Sequence, residues 1–393
     1  MRPLATIARF VGIFYHSKMD LHWIALDVPT PPNYGGAVDM LYKVMALKRL
    51  GVRVHMHAFA YDGRVPDARL TAACASIQLY ARAKNPLGLL SVLPYMSWSR
   101  RSRALLARLR QDNFPILLEG IHTASLLQQD PHLGPRCIVR THNVESEYYQ
   151  SLAQDEPKWM RRLFLWSEAL KLAWSEPRLL RLAAGVAAIS PHDSARISAW
   201  VGTKAVTLVG PFHGMKLEVP PGLGTFALFH ANLAVPENHH AAMSLALAIP
   251  DDFPMHLCIA GRKPRAELQA ICAERSIHLI ADPEDEAMDS LVRDAAVHLL
   301  PGSRGDGVKL KVLRALLHGR HVVASPQLLG TGPLVPLCHL AQTPADFFDL
   351  AQNLALRPVT EAEIALRTEV IGRYFDDDHN AKVLLDWISS RTA

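Results

Sequence analysis

Residues 22–59 read HWIALDVPTPPNYGGAVDMLYKVMALKRLGVRVHMHAF. Residues 22–28 are apolar and strand-like, and Pro29, Pro31 and Pro32 stop them. Asn33-Tyr34-Gly35-Gly36 is a turn. The apolar spacing then predicts a helix over residues 37–50, closed by Gly51 where a C-terminal cap belongs. Residues 52–59 form the next strand. A strand, a glycine turn, a helix and a second strand make a βαβ unit, which sets the two strands parallel.

The same alternation continues outward. Apolar runs at 76–80, 115–118, 137–140, 185–189 and 206–209 read as strands, and 98–110, 145–153 and 158–182 carry helical patterns. The last is the longest and holds Trp159, Trp166 and Trp174 near one face, with Arg161, Arg162, Lys171, Arg178 and Arg181. Its Pro177 is expected to kink or divide it. The expected role of the tryptophans is core packing, with the basic residues solvated. The alternative is a basic aromatic helix resting on a membrane surface.

A Pro- and Gly-rich stretch at 212–224 reads as a linker, after which the pattern restarts. Strands at 226–230, 255–260, 277–280, 297–300 and 321–324 alternate with helices. The fold expected is α/β, with two doubly wound Rossmann-like domains facing across a cleft. The boundaries expected are an extension at 1–18, a first domain at 19–211, the linker at 212–224 and a second domain at 225–372. A last helix at 373–393 would return to the first domain. The extension reads as a mis-assigned start before Met19, with a short membrane-touching arm the alternative.

Within the second half, residues 302–319, GSRGDGVKLKVLRALLHG, follow a strand and open a helix. The first turn of a helix offers free N–H groups and a positive dipole end, and glycines let an anion approach the backbone. Gly302, Ser303, Gly305, Gly307, Lys309 and Lys311 therefore suggest a phosphate site. Ligands of such sheets bind beyond the carboxyl ends of the strands. Gly35, Gly36, His122, His142, Asn232 and Arg262 all fall at such ends.

Composition removes several function classes. The chain has 393 residues, 49% apolar and 20% charged, with a formal net charge of +5. That is mild for a nucleic-acid binder, and no nucleic-acid motif occurs. No apolar run reaches the roughly 18 residues of a membrane span. The five cysteines are scattered without metal-ligand spacing, which fits a reducing compartment. There is no Walker A loop, no nicotinamide fingerprint, no nucleophile elbow and no zinc pattern. Asp376-Asp377-Asp378 reads as a solvated acidic turn rather than a metal site.

The chain resembles the family-4 glycosyltransferases, which have the GT-B fold, from about residue 19 to 387. The residues that carry the likeness are Pro32-Asn33-Tyr34-Gly35-Gly36, Arg140-Thr141-His142-Asn143-Val144-Glu145 and Ala188-Ile189-Ser190-Pro191. Further matches are His230-Ala231-Asn232-Leu233 through Glu237-Asn238, Ala260-Gly261-Arg262 and the residues from Gly307 to Leu313. The resemblance implies a cytoplasmic enzyme, or one peripheral to the inner membrane face. It would move a sugar from a nucleotide-sugar to a glycan or lipid-linked acceptor of surface polysaccharide synthesis. It implies retention of configuration and no metal or other cofactor.

Residue by residue, the likeness makes Gly35 and Gly36 a loop near the donor phosphates. It makes His122 a group near the reacting sugar and Arg262 and Lys309 diphosphate ligands. Gly305 and Gly307 would face the nucleotide. His142, with Asn143 beside it, reads equally as an acceptor contact or a structural bond between loops. Two family glutamates map onto Asp306 and Arg314, the first keeping a carboxylate near the sugar and the second reversing the charge at the ribose. The usual early Gly-Arg…Lys pair is replaced by Asn232 and Asn238-His239-His240. A catalytically silent GT-B protein and a nucleotide-sugar epimerase are the alternatives.

Overall fold

A computed structural model describes residues 19–60, 63–302 and 309–392. Gly305, Asp306 and Gly307 lie outside the described residues, as does the extension at 1–18. The first sheet has seven strands: β1 Asp20–Ala25, β2 Arg53–Ala60, β3 Ser76–Ala81, β4 Ile116–Glu119, β5 Cys137–Arg140, β6 Gly185–Ala188 and β7 Val206–Leu208. Their order is β3-β2-β1-β4-β5-β6-β7. The second sheet has six: β8 Ala227–Asn232, β9 Leu257–Arg262, β10 His278–Ala281, β11 Val297–Leu300, β12 His321–Ala324 and β13 His339–Leu340. Their order is β10-β9-β8-β11-β12-β13.

Every pairing in both sheets is parallel, as the opening βαβ unit requires. Register in that unit runs from Asp20 opposite Arg53 to Ala25 opposite Ala58. Strand order reverses direction at β1/β4 and again at β8/β11, so each sheet has a topological switch point where a crevice opens. Helices cover both faces. One apolar cluster joins Met40, Leu41 and Val44 to Leu21, Trp23 and Val54, and the opposite face buries Leu105, Leu109 and Leu179 against Ile116 and Leu118.

The chain crosses back between the domains at its end. The Asp377–Arg391 helix places Ala381, Leu384, Leu385 and Ile388 in the first domain's core. Phe212, at the start of the expected linker, is buried in that same core. At the crossing, a Cβ on Gly210 would lie 1.8 Å from the Tyr374 carbonyl oxygen, so only glycine fits there. The acidic run at 376–378 leaves Asp376 and Asp378 exposed, as a solvated turn should, and each of its carboxylates also has a partner. Asp376 caps the last helix at His379 N (2.7 Å), Asp377 accepts from the backbone N–H of His213 and Gly214 (both 2.9 Å), and Asp378 pairs with Arg49. Each carboxylate serves as an acceptor that ties the crossing segment down.

Three other expectations change. Residues 98–110 are not one helix but two, Tyr95–Trp98 and Arg103–Leu109, with Ser102 capping the second at Leu105 N (3.2 Å). The Trp159–Leu180 helix runs through Pro177 undivided. Pro177 lies in the last turn, so few backbone bonds depend on its missing N–H. The tryptophans are not core: Trp159, Trp166 and Trp174 are 72%, 38% and 45% exposed. The face that helix buries is carried by Leu165, Ala169, Leu172 and Leu179 instead.

Candidate functional site

The glycine turn at 35–36 starts the Gly35–Arg49 helix at the carboxyl end of β1. That places Asp39 and Lys43, one turn apart on the helix, beneath the ends of β4 and β5. Five ionisable side chains meet there. Lys43 Nζ lies 3.0 Å from Asp39 and 2.5 Å from Glu119 Oε1. Asp39 reaches Arg140 Nη2 at 3.2 Å, and Glu119 Oε2 reaches His142 Nε2 at 2.7 Å. Trp23 Nε1 donates to Glu119 at 2.8 Å. Lys43, Glu119 and Arg140 are fully buried.

Burying a charge is costly unless it is paired and hydrogen-bonded. Each member of this group is. Burial pushes the Glu119 carboxyl up, but Lys43 and then His142 outweigh it and hold the group ionised. Burial likewise opposes Asp39, and Lys43 and Arg140 hold it far below the usual carboxylate range. Among the described residues, ligand-type atoms of Asp39, Glu119 and His142 lie within 4.8 Å of one another. The Lys43 ammonium already supplies the cation at that place.

The consequence reaches the cleft through His142. A carboxylate accepts only, so Nε2 donates to Glu119, and Nδ1 is the ring nitrogen left for another partner. Nδ1 lies 3.7 Å from where a Cβ on Gly36 would stand. A Cβ on Gly35 would lie 3.7 Å from Leu310 Cδ1, across the cleft. The starts of the Gly35–Arg49 and Leu310–His318 helices therefore face each other, with His142 beside the junction.

On the second domain's side, Lys309 ends the loop before the Leu310–His318 helix and lines an inter-domain cavity of about 250 Å³. Its walls include Ser190 and His192 from the first domain and Leu334, Arg373 and Tyr374 from the second domain and the returning chain. Lys311, the second residue of the same helix, donates to Asn238 Oδ1 at 2.9 Å and lies 5.7 Å over the Phe229 ring. Burial lowers its pKa to about 8. Asn238 in turn donates to the Asn232 carbonyl at 3.0 Å, and Asn232 Oδ1 accepts from Ala234 N at 3.2 Å.

The remaining candidates separate. His122 lies 3.6 Å from Glu145 and 6.2 Å, edge to face, from the Tyr149 ring. Its Nδ1 is buried without a hydrogen-bond partner among the described residues. Asn143 follows His142 at the cleft edge, part-exposed. Arg262 is exposed and faces Asp285 at 3.7 Å. Arg314 turns to the neighbouring helix and pairs with Asp289 at 2.5 Å.

Sequence reading did not single out Lys43, Asp39 or Glu119, quoted Arg140 only within a family motif, and placed Lys311 in the suggested phosphate site without its partner Asn238. Asp39 and Lys43 one turn apart on an otherwise apolar helix face were the available signal. Lys311 stands at Asn238, where the expected early lysine is missing, and the spacing of one segment could not show that.

No family model matches the chain. An uncharacterized 44.6 kDa protein from the cps region of Klebsiella pneumoniae is 24% identical over 322 residues, covering 77% of this chain and 81% of that protein. Among solved structures, sucrose-phosphate synthase from Thermosynechococcus elongatus superposes with a TM-score of 0.66 at 15% identity, covering 95% of this chain and 99% of that one. The Anabaena protein HepE, solved in complex with UDP and glucose, gives 0.57 at 12% identity, covering 95% and 100%. The architecture described above is that of the GT-B glycosyltransferases, and the chain has the GT-B fold.

Proposed function

We propose that this GT-B chain is a glycosyltransferase. It takes a sugar from a nucleotide-sugar and passes it to a glycan or lipid-linked acceptor of surface polysaccharide synthesis, at the inner face of the membrane. The observation that carries the reading is the meeting of two helix starts across the cleft, His142 beside one and Lys309 and Lys311 on the other. That pairs a polarised imidazole with an anion site, which are the two components that transfer from a diphosphate leaving group needs. The cps-region relative and the UDP-bound HepE agree with this choice of donor and setting.

In this scheme Lys311, Lys309 and the N-terminal amides of the Leu310–His318 helix receive the leaving diphosphate. They do the work a divalent ion does in other transferases, so transfer proceeds without a bound metal. Retention of configuration and a hexose donor belong to the same proposal. His142 Nδ1 meets a sugar or acceptor hydroxyl, with Gly36 leaving room for it, and the Glu119–Lys43 pair fixes the ring. His122 sits near the reacting sugar, its buried Nδ1 in need of a partner. The cavity beside Lys309 gives the substrates space.

The test is a panel of UDP-, GDP- and TDP-sugars, read by protection against thermal unfolding and by release of nucleoside diphosphate. Stabilisation by one donor class with slow hydrolysis is expected, and in His142→Ala loss of hydrolysis with donor protection retained, on a protein made somewhat less stable because Glu119 loses a partner. No stabilisation by any donor would sink the reading. Binding without turnover would point to a silent GT-B protein, and a new nucleotide-sugar formed without acceptor would point to an epimerase.

A further inference from the structure

The Glu145–Asp155 and Trp159–Leu180 helices form a hairpin whose tip extends from the first domain. The first six residues of the second helix, 159–164, are all exposed, although four of them are Trp159, Met160, Leu163 and Phe164. Their exposures are 72%, 67%, 64% and 37%. Trp166, Leu170 and Trp174 continue the exposed apolar face along the helix. Beside it, the Pro86–Leu90 turn is fixed to the helix by Lys171, whose Nζ donates to the Leu89 carbonyl at 2.9 Å. That turn and the residues after it expose Leu87, Leu89, Leu90 and Val92, Leu90 at 83%. Exposed apolar surface of this extent marks an interaction site.

Charge says what covers it. The exposed positions of the Trp159–Leu180 helix carry Arg161, Arg162 and Arg178 and no acid. Its two glutamates are buried: Glu168 accepts from Tyr95 N at 2.6 Å, and Glu176 caps the partner helix at Glu145 N and Ser146 N. Lys158 adds a further exposed cation. At the hairpin turn, Glu156 is spent on Arg161 at 3.1 Å, with Asp155 beyond it. A second copy docked on this face by two-fold symmetry would set arginine against arginine. An anionic bilayer surface instead offers lipid tails to the tryptophans and phosphates to the arginines, and interfacial helices are built of those residues.

We propose that the hairpin tip at 155–174 and the turn at 86–92 form a docking surface for an anionic lipid bilayer. Trp159, Met160, Leu163 and Leu90 enter the headgroup boundary, and Arg161 and Arg162 contact lipid phosphates. No helix of the described residues is long and apolar enough to cross a membrane. Tyr149, on the other arm of the hairpin, packs on His122. Docking thus brings the first domain's side of the cleft toward the membrane, where a lipid-linked acceptor would present its sugar. That purpose rests on the transferase reading; the docking does not.

The experiment is co-sedimentation of the full chain with phosphatidylcholine vesicles and with vesicles of equal phosphatidylcholine and phosphatidylglycerol. Binding to the second kind, weak binding to the first, and release by high salt are expected. Trp159→Ser with Leu163→Ser, and separately Arg161→Ala with Arg162→Ala, should each weaken binding at least tenfold. The unfolding midpoint should not move, because these side chains are exposed. A folded protein that ignores the anionic vesicles, or binds them equally after both double substitutions, overturns the proposal. So does a concentration-dependent dimer in sedimentation equilibrium that Trp159→Ser abolishes, which would assign the face to a second copy. Protection of the vesicle-free protein by nucleotide-sugars reads the transferase assignment separately.

Discussion

Two helices begin at the cleft and face each other, and they are built differently. The Gly35–Arg49 helix sinks its charges, with Asp39 and Lys43 locked to Glu119, Arg140 and His142 in a closed network. The Leu310–His318 helix leaves Lys311 with a neutral partner, Asn238, and a pKa drawn down to about 8 by burial. The first arrangement is complete without a ligand. The second has a half-buried cation whose charge is best stabilised when an anion arrives. The first domain therefore holds a preformed orienting site, and the second a site whose electrostatics are finished by substrate.

The largest way to break that contrast is Lys43→Met. It strands Glu119 without its lysine, fully buried, and leaves Asp39 with Arg140 and the Phe212 N–H. Removing one partner of a buried ion pair costs about 3–5 kcal/mol. Urea unfolding should show a loss of that size. A loss under about 1 kcal/mol would mean the network is not what holds the first domain's edge together.

The same change across the cleft should do the opposite. Lys311→Met removes a charge that burial disfavours, so stability should hold or rise slightly, while binding of a nucleoside diphosphate should weaken about 10- to 100-fold. A charge-assisted bond of this kind is worth roughly 1.5–3 kcal/mol. Calorimetry with UDP and a thermal melt measure the two halves. Unchanged UDP affinity would place the diphosphate elsewhere.

Much of this contrast was hidden in the sequence, while the fold was not. Strand positions were legible because buried parallel strands are short apolar runs between glycine turns, and 137–140, 297–300 and 321–324 coincide with β5, β11 and β12. The glycine turns and His142 were legible because they stand at strand ends. Lys43 and Glu119 were not, since a lysine in a helix and a glutamate after a strand look like surface residues until the fold brings them together. The tryptophans misled for a related reason. Trp159, Trp166 and Trp174 at near-helical spacing fit a core face and a lipid face equally, and only packing tells which. Arg314 was read from its alignment with a family glutamate, but Asp289 on the adjacent helix fixes its direction.

A third effect is smaller and set by pH. In the free protein Lys311 loses its proton around pH 8, well below the ordinary lysine range. A diphosphate binds the ammonium form, so binding raises that pKa and takes up a proton. UDP affinity should accordingly hold below about pH 7 and fall as pH rises through 8 to 9. Lys311→Met should flatten the profile. Isothermal titrations in buffers of different ionisation enthalpy would show the proton uptake directly, and affinity constant from pH 7 to 9 would remove Lys311 from the diphosphate.

The smallest expected effect decides whether Arg314 belongs to the site at all. Its guanidinium is 26% exposed and its partner Asp289 39%, so water screens the pair. Such part-exposed pairs contribute about 0–1 kcal/mol. Arg314→Ala should therefore change stability little. If Asp289 keeps Arg314 away from the nucleotide, UDP affinity should shift less than twofold, against the much larger loss in Lys311→Met. A comparable loss from both would show that Arg314 leaves Asp289 when the nucleotide binds. The second domain would then complete its site with Arg314 beside Lys309 and Lys311, and the charge reversal at the ribose position would be a means of donor recognition instead of a departure from it.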